Sequence, residues 1–173
     1  MQRVMVIGSP GAGKSTLARK LAARTELPLI HLDAHYHLPG WVEPPEDQWQ
    51  ARLRELVAGK RWIIDGNYGG SMAMRLARAD TVVWLDYPTW VCLRRVINRW
   101  REFRGRARPD VPPDCPERFD PEFLLYVARF RAVKRPGILK RLEGFSGEVI
   151  RLADPAGADR WLDRPGGPAD AVV

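Results

Sequence analysis

Gly8-Ser9-Pro10-Gly11-Ala12-Gly13-Lys14-Ser15-Thr16 is the stretch whose reading decides the fold. From Gly8 to Ser15 it has the form G-x-x-x-x-G-K-S, the Walker A or P-loop pattern. Its glycines let the backbone wrap tightly and turn successive N–H groups inward, where they can hold phosphate oxygens. Lys14 supplies a point charge for the β- and γ-phosphates, and Ser15 a hydroxyl for Mg²⁺. The apolar run Arg3-Val4-Met5-Val6-Ile7 before it reads as a buried strand. Leu17-Ala18-Arg19-Lys20-Leu21 after it reads as a helix whose positive end faces the same phosphates. Gly8, Pro10, Gly11, Ala12, Gly13, Lys14, Ser15 and Thr16 are the expected ATP contacts.

Outward from this loop, the chain alternates strands and helices. A helix is expected over 14–24, a strand over 29–32 ending at Asp33, and a proline-rich loop over 34–45. A helix follows from about Glu46 to Gly59, then a strand over 61–65, an exit loop over 66–70 and a short helix over 71–79. The run Thr81-Val82-Val83-Trp84-Leu85-Asp86 is continuously apolar, as a parallel strand covered on both faces must be. A long helix over 89–103 leads into 105–121, where Pro109, Pro112, Pro113 and Pro116 argue against regular structure. Helices over 121–135 and 137–142, a strand over 148–152 and a short helix near 156–162 complete the chain. The pattern implies a doubly wound α/β domain over residues 1–164, with a lid at about 104–121 and a disordered tail over 165–173. Ligands should bind at the carboxyl ends of the strands, where Gly8, Asp33, Asp65 and Asp86 fall.

The 173 residues suit one domain with a full core. No apolar run is long enough to span a bilayer, and no signal peptide is expected ahead of the first strand. Cys92 and Cys115 are too few and too separate for a disulfide framework or a four-thiolate zinc site, so a reducing cytoplasm is expected. The net charge of +7 fits phosphorylated small molecules or nucleic acid.

The P-loop, Asp65-Gly66 after the third strand and Arg95-x-x-x-Arg99 after the fourth resemble the adenylate-kinase-like superfamily of P-loop small-molecule kinases. Within it, His31-Leu32-Asp33, Trp62-Ile63-Ile64-Asp65-Gly66-Asn67-Tyr68 and Cys115-Pro116-Glu117-Arg118-Phe119-Asp120 resemble bacterial DNA topology modulation proteins. The resemblance implies a five-stranded parallel sheet in the order 2-3-1-4-5, an NTP site at the P-loop, and a phosphoryl acceptor site beneath a mobile arginine-rich lid. It also implies that Asp65, on the strand beside the P-loop strand, joins Ser15 in holding Mg²⁺. On pattern alone Asp86 is an equal ligand, and only the implied strand order puts it second.

Asp33 ends the second expected strand, where it could orient an acceptor hydroxyl or take its proton. Asp33-Ala34-His35-Tyr36-His37 lacks the threonine–arginine acceptor pattern of adenylate kinases and is loosely similar to the acceptor segment of gluconate-type kinases. His31, His35 and His37 sit together but have no cysteine near, so substrate contact is favoured over a metal site. Arg95 and Arg99 lie one helical turn apart and share a face, which suits them to phosphate oxygens. Their distance from Asp86 at the end of the fourth strand resembles that of the pair of lid-base arginines in adenylate kinases. The lid arginines, and Arg129, Arg131 and Arg135 beyond them, are further phosphate contacts on closure. Trp41 and Trp49 flank the acceptor loop as pocket walls or core.

The favoured function is a Mg-ATP-dependent phosphotransferase acting on a small-molecule hydroxyl or phosphate, with Lys14, Asp33, Arg95 and Arg99 as its catalytic residues. The alternative is a nucleic-acid-associated NTP-binding protein influencing DNA topology.

Overall fold

The structure is a computed structural model that describes residues 1–164; the tail expected to be disordered lies outside the described residues. Five parallel strands form one sheet: β1 (Arg3–Gly8), β2 (Leu29–His31), β3 (Trp62–Asp65), β4 (Thr81–Leu85) and β5 (Glu148–Leu152). Their order is β2-β3-β1-β4-β5, as the resemblance implied. Register pairs Val6 with Asp65 on one side of β1 and Gly8 with Leu85 on the other. The end of the P-loop strand therefore stands between the ends of β3 and β4.

The helices are α1 (Lys14–Thr25), α2 (Leu32–Tyr36), α3 (Glu46–Ala58), α4 (Met72–Leu76), α5 (Thr89–Phe103), α6 (Pro121–Val133), α7 (Arg135–Glu143) and α8 (Pro155–Leu162). The period of two in β1 divides the core. Val4 and Val6 face Leu17, Ala18 and Leu21 of α1, Val91, Cys92 and Val96 of α5, and Leu162 of α8. Met5 and Ile7 face Trp49, Leu53 and Val57 of α3, with Phe130 and Ile138 from α6 and α7. Every apolar residue of the strand is thus buried, and truncating Ile7 to Ala would cost about 2–5 kcal/mol.

Three expectations need correction. The second strand stops at His31, and Asp33 lies in the first turn of α2; Leu32 turns into the core and the chain coils immediately behind it. The helix expected over 71–79 is a turn of 3₁₀ helix over Gly69–Ser71 followed by the five residues of α4. The lid is not irregular: Arg104 bridges Glu117 and Ala107 bridges Pro116, with Gly105 N–H on Glu117 O at 3.1 Å and Glu117 N–H on Arg106 O at 2.9 Å. Pro109, Pro112 and Pro113 sit in the turn between these rungs, so they remove no donor that the rungs use. Among the described residues no helix is long and apolar enough to cross a membrane.

Candidate active site

The carboxyl ends of β1, β2 and β3, the start of α1 and the lid enclose a cleft of about 1050 Å³. At its floor the P-loop bends through left-handed backbone at Gly11 (φ 77°) and Gly13 (φ 94°). A Cβ on Gly11 would stand 2.4 Å from the Cys92 carbonyl oxygen, so both conformation and space exclude a side chain there. Pro10, Gly11, Ala12, Gly13, Lys14, Ser15 and Thr16 all line the cleft. Gly8 does not: its N–H is taken by Asn67 Oδ1 at 3.0 Å, and its carbonyl by Asn67 Nδ2 and Lys14 Nζ. These bonds tie Gly8 to Asn67 and Lys14.

Lys14 Nζ donates to the Gly8 and Ser9 carbonyls, both at 3.1 Å. Burial holds its ammonium below the usual lysine range, against the opposing pull of Asp33 and Asp65. Ser15 Oγ donates to Asp110 Oδ2 of the lid at 2.8 Å. Asp65 lies at the end of β3 and is bonded by its Oδ1 to His31 Nδ1 at 2.8 Å. Burial opposes a charge on His31, but this carboxylate outweighs it and raises the imidazole above its ordinary value. Ser15 and Asp65 together offer the hard oxygen donors that Mg²⁺ takes, so the residues fit that ion. Asp86 is absent from the cleft wall. It receives Arg135 Nε at 3.0 Å and Arg151 Nε at 2.8 Å, both guanidinium groups stacked over Trp84, and so anchors α7 and β5 instead.

Asp33 lines the cleft above the P-loop. Tyr68 donates its hydroxyl to Asp33 Oδ1 at 2.8 Å and lies 3.4 Å from His37 Nε2. Burial, then Asp33, pushes the Tyr68 phenol far above its usual value, so it stays a donor. Tyr68 holds φ at 29°, in the region that side chains rarely occupy. Arg75 explains how it is kept there. This arginine is fully buried and donates to the carbonyls of Gly66 (2.8 Å), Asn67 and Tyr68 (3.2 Å). Burial lowers it to about 10. One short loop therefore presses Asn67 onto the P-loop and Tyr68 onto Asp33.

The rings of Tyr36, His37, Trp41 and Tyr68 line the cleft near Asp33, with Tyr36 4.5 Å from Tyr68 and His37 5.0 Å from Trp41 between centres. Trp49 packs behind them in the core. His35 points away toward Arg52. No group of three metal-ligating side chains forms among the described residues.

The lid rests on this site. Arg99, from the middle of α5, donates to Glu117 Oε1 at 2.8 Å. Arg108 NH1 donates to Asp110 Oδ2 at 3.0 Å, and its NH2 lies 3.9 Å from Asp33 Oδ2. Its Nε lies 2.9 Å from Glu117 Oε2, an ion pair whose angle is too poor for a hydrogen bond. Arg95 donates to the Ala12 carbonyl at 2.9 Å and stacks on Tyr87. The lid is also tied to the acceptor loop: Gly40 N–H donates to Asp114 O at 2.9 Å and Trp41 Nε1 to Pro116 O at 3.0 Å. Sequence reasoning brought Lys14, Ser15, Asp33, Asp65, Arg95 and Arg99 to one cleft. It quoted Asn67, Tyr68 and Glu117 only within motifs and Arg108 only among the lid arginines, without roles, and it did not single out Arg75 or Asp110.

The sheet order, the glycine-rich turn and a roofed cleft above Lys14 define a P-loop nucleotide-dependent enzyme. Comparison with known proteins refines this class. The family described as ATPase family associated with various cellular activities (AAA) matches residues 4–65, the stretch from β1 through β3. A shikimate kinase of Rhodococcus erythropolis is 31% identical over 63% of this chain and 73% of its own length. One of Nitrobacter winogradskyi is 29% identical over 54% of this chain; the match spans only about half (51%) of that enzyme. In fold, the shikimate kinase of Acinetobacter baumannii in complex with shikimate superposes with a TM-score of 0.56 at 19% identity, covering 92% of this chain and 88% of that one. A gluconokinase from Sinorhizobium meliloti 1021 gives 0.51 at 16% identity, covering 92% of each. The chain belongs to the shikimate kinase family of small-metabolite P-loop kinases.

Proposed function

We propose that the chain transfers the γ-phosphoryl group of ATP to a hydroxyl of a small metabolite seated against Asp33. The observation that carries this reading is the shared cleft: Lys14 and Asp33 both line it, and Arg108 bridges the lid to Asp33. The acceptor oxygen bonds to the γ-phosphorus, the bond from that phosphorus to the β–γ bridging oxygen breaks, and ADP leaves. The hydroxyl proton passes to Asp33 Oδ2, because Oδ1 already accepts from Tyr68. Lys14, Arg95, Arg99 and Arg108 offset the charge that spreads over the phosphoryl oxygens. Ser15 and Asp65 would hold Mg²⁺, whose charge neutralises the phosphates when it is bound.

The aromatic wall favours an acceptor with a flat or apolar face. The relatives' names make shikimate the first compound to test, ahead of gluconate and nucleoside monophosphates. The motifs that resemble DNA topology modulation proteins place His31, Asp33, Asp65, Asn67, Tyr68 and Glu117 on the walls of this cleft, which supports reading them as a small-molecule site.

The test is phosphoryl transfer from γ-labelled ATP to those acceptors, with Lys14→Ala as blank. Asp33→Asn should lower kcat at least 100-fold while the affinity for ADP changes less than threefold (both about, by the usual worth of a general base). Undiminished transfer by Asp33→Asn removes Asp33 from the mechanism. If none of the acceptors is phosphorylated, the choice of acceptor class is wrong.

A further inference from the structure

We infer that Asp110, carried by the lid, is a member of the metal shell at the nucleotide site. The inference rests on reading the P-loop as a Mg-nucleotide site and adds a residue to it.

Three observations carry it. Ser15 spends its single hydroxyl proton on Asp110 Oδ2 at 2.8 Å, which turns the oxygen's lone pairs away from Asp110 and leaves them for a cation. Asp110 is buried, and its ion-pair partner Arg108 is shared with Asp33 and Glu117. Arg99 also takes Glu117, so two guanidinium groups face three carboxylates. The β3 carboxylate is meanwhile engaged by His31, so it reaches Ser15 with no direct bond.

A buried carboxylate on the P-loop serine stands where a nucleotide's terminal phosphates bring further negative charge. In this structure it serves as the serine's acceptor. With nucleotide present, the two anions repel unless a divalent cation lies between them. The lid thus closes on metal-bound nucleotide and is pushed off by metal-free nucleotide. The hydrogen bond that ties the lid to Ser15 becomes a metal-shell contact when metal-bound nucleotide is present.

The test uses ADP with Mn²⁺ as the probe. Free Mn²⁺ is measured by its EPR signal, ADP binding by calorimetry in EDTA, and lid access by trypsin cleavage at the lid arginines. Asp110→Asn should weaken Mn²⁺ binding to the protein–ADP complex about 10- to 100-fold and leave ADP affinity in EDTA unchanged or tighter. Asp110→Glu, which keeps the charge, should recover most of the Mn²⁺ affinity. In the wild type, ADP with EDTA should speed lid cleavage relative to the empty protein, and ADP with Mn²⁺ should slow it. Unchanged Mn²⁺ affinity in Asp110→Asn overturns the inference. So does an equal loss of ADP affinity with and without metal, which would make Asp110 only a latch. Equal protection of the wild-type lid by ADP in EDTA and in Mn²⁺ overturns it without any variant. Wild-type protein that binds no ADP sinks the nucleotide-site reading itself, whereas failure of every acceptor leaves these results standing.

Discussion

Tyr68 shows how much of the chemistry rests on single atoms. Its phenol sets which oxygen of Asp33 is free, and the strained backbone that delivers it is held by Arg75 from beneath. Tyr68→Phe removes one hydrogen bond to a carboxylate, worth about 1.5–3 kcal/mol, and should lower kcat roughly 10- to 100-fold. ADP affinity should stay within a factor of two or so, since no phosphate contact is lost. A kcat equal to wild type would show that Asp33 is oriented without Tyr68. The donor residues were legible in the sequence because a P-loop is local: nine consecutive residues contain their own reason. Arg75 was not, because its partners are backbone carbonyls that only the fold brings together. His31 was visible as one of a cluster of histidines, but its tie to Asp65 depends on β2 pairing with β3 in a register that places the two side by side.

At the scale of elements, the lid and the acceptor loop were read as separate irregular segments. They are joined. Proline spacing marked the lid correctly as loop but hid its rungs, because hydrogen bonding by Gly105 and Glu117 depends on a partner ten or more residues away. Glu117 is the buried counter-charge for Arg99 and Arg108. Glu117→Gln leaves these guanidinium groups without it, a change that in buried sites costs about 3–5 kcal/mol. The lid has its own ladder and can release locally, so the effect should appear as faster trypsin cleavage after the lid arginines, about tenfold or more. The melting temperature should fall less than a core truncation would lower it. Cleavage at the wild-type rate would show that Glu117 does not hold the lid.

Across the whole molecule, alternation of strands and helices pointed to a parallel sheet, whereas its order came only from the resemblance. The two acidic strand ends that the sequence could not rank are separated by what the fold places around them. Asp65 faces the cleft with one histidine; Asp86 is buried between two arginines from α7 and β5. Asp86→Asn should therefore destabilise the protein by about 3–5 kcal/mol, read as a shift in the urea midpoint, and leave ADP affinity unaltered. A loss of metal or nucleotide binding with normal stability would return Asp86 to the site.

The hydrogen bonds from Gly40 to Asp114 and from Trp41 to Pro116 have a kinetic meaning. A kinase that shuts on ATP alone must keep water from acting as the acceptor. On the proposed reaction, the lid shares a seam with the loop that carries Trp41, so full closure would register the coincidence of both substrates. Trp41→Phe cuts that seam at one bond without removing the aromatic wall. It should raise the ratio of ATP hydrolysed to acceptor phosphorylated about three- to tenfold, the scale of one neutral hydrogen bond. An unchanged ratio would mean that fidelity against water is set elsewhere. The indole that looks like pocket lining would then be the group that keeps ATP from being spent on water.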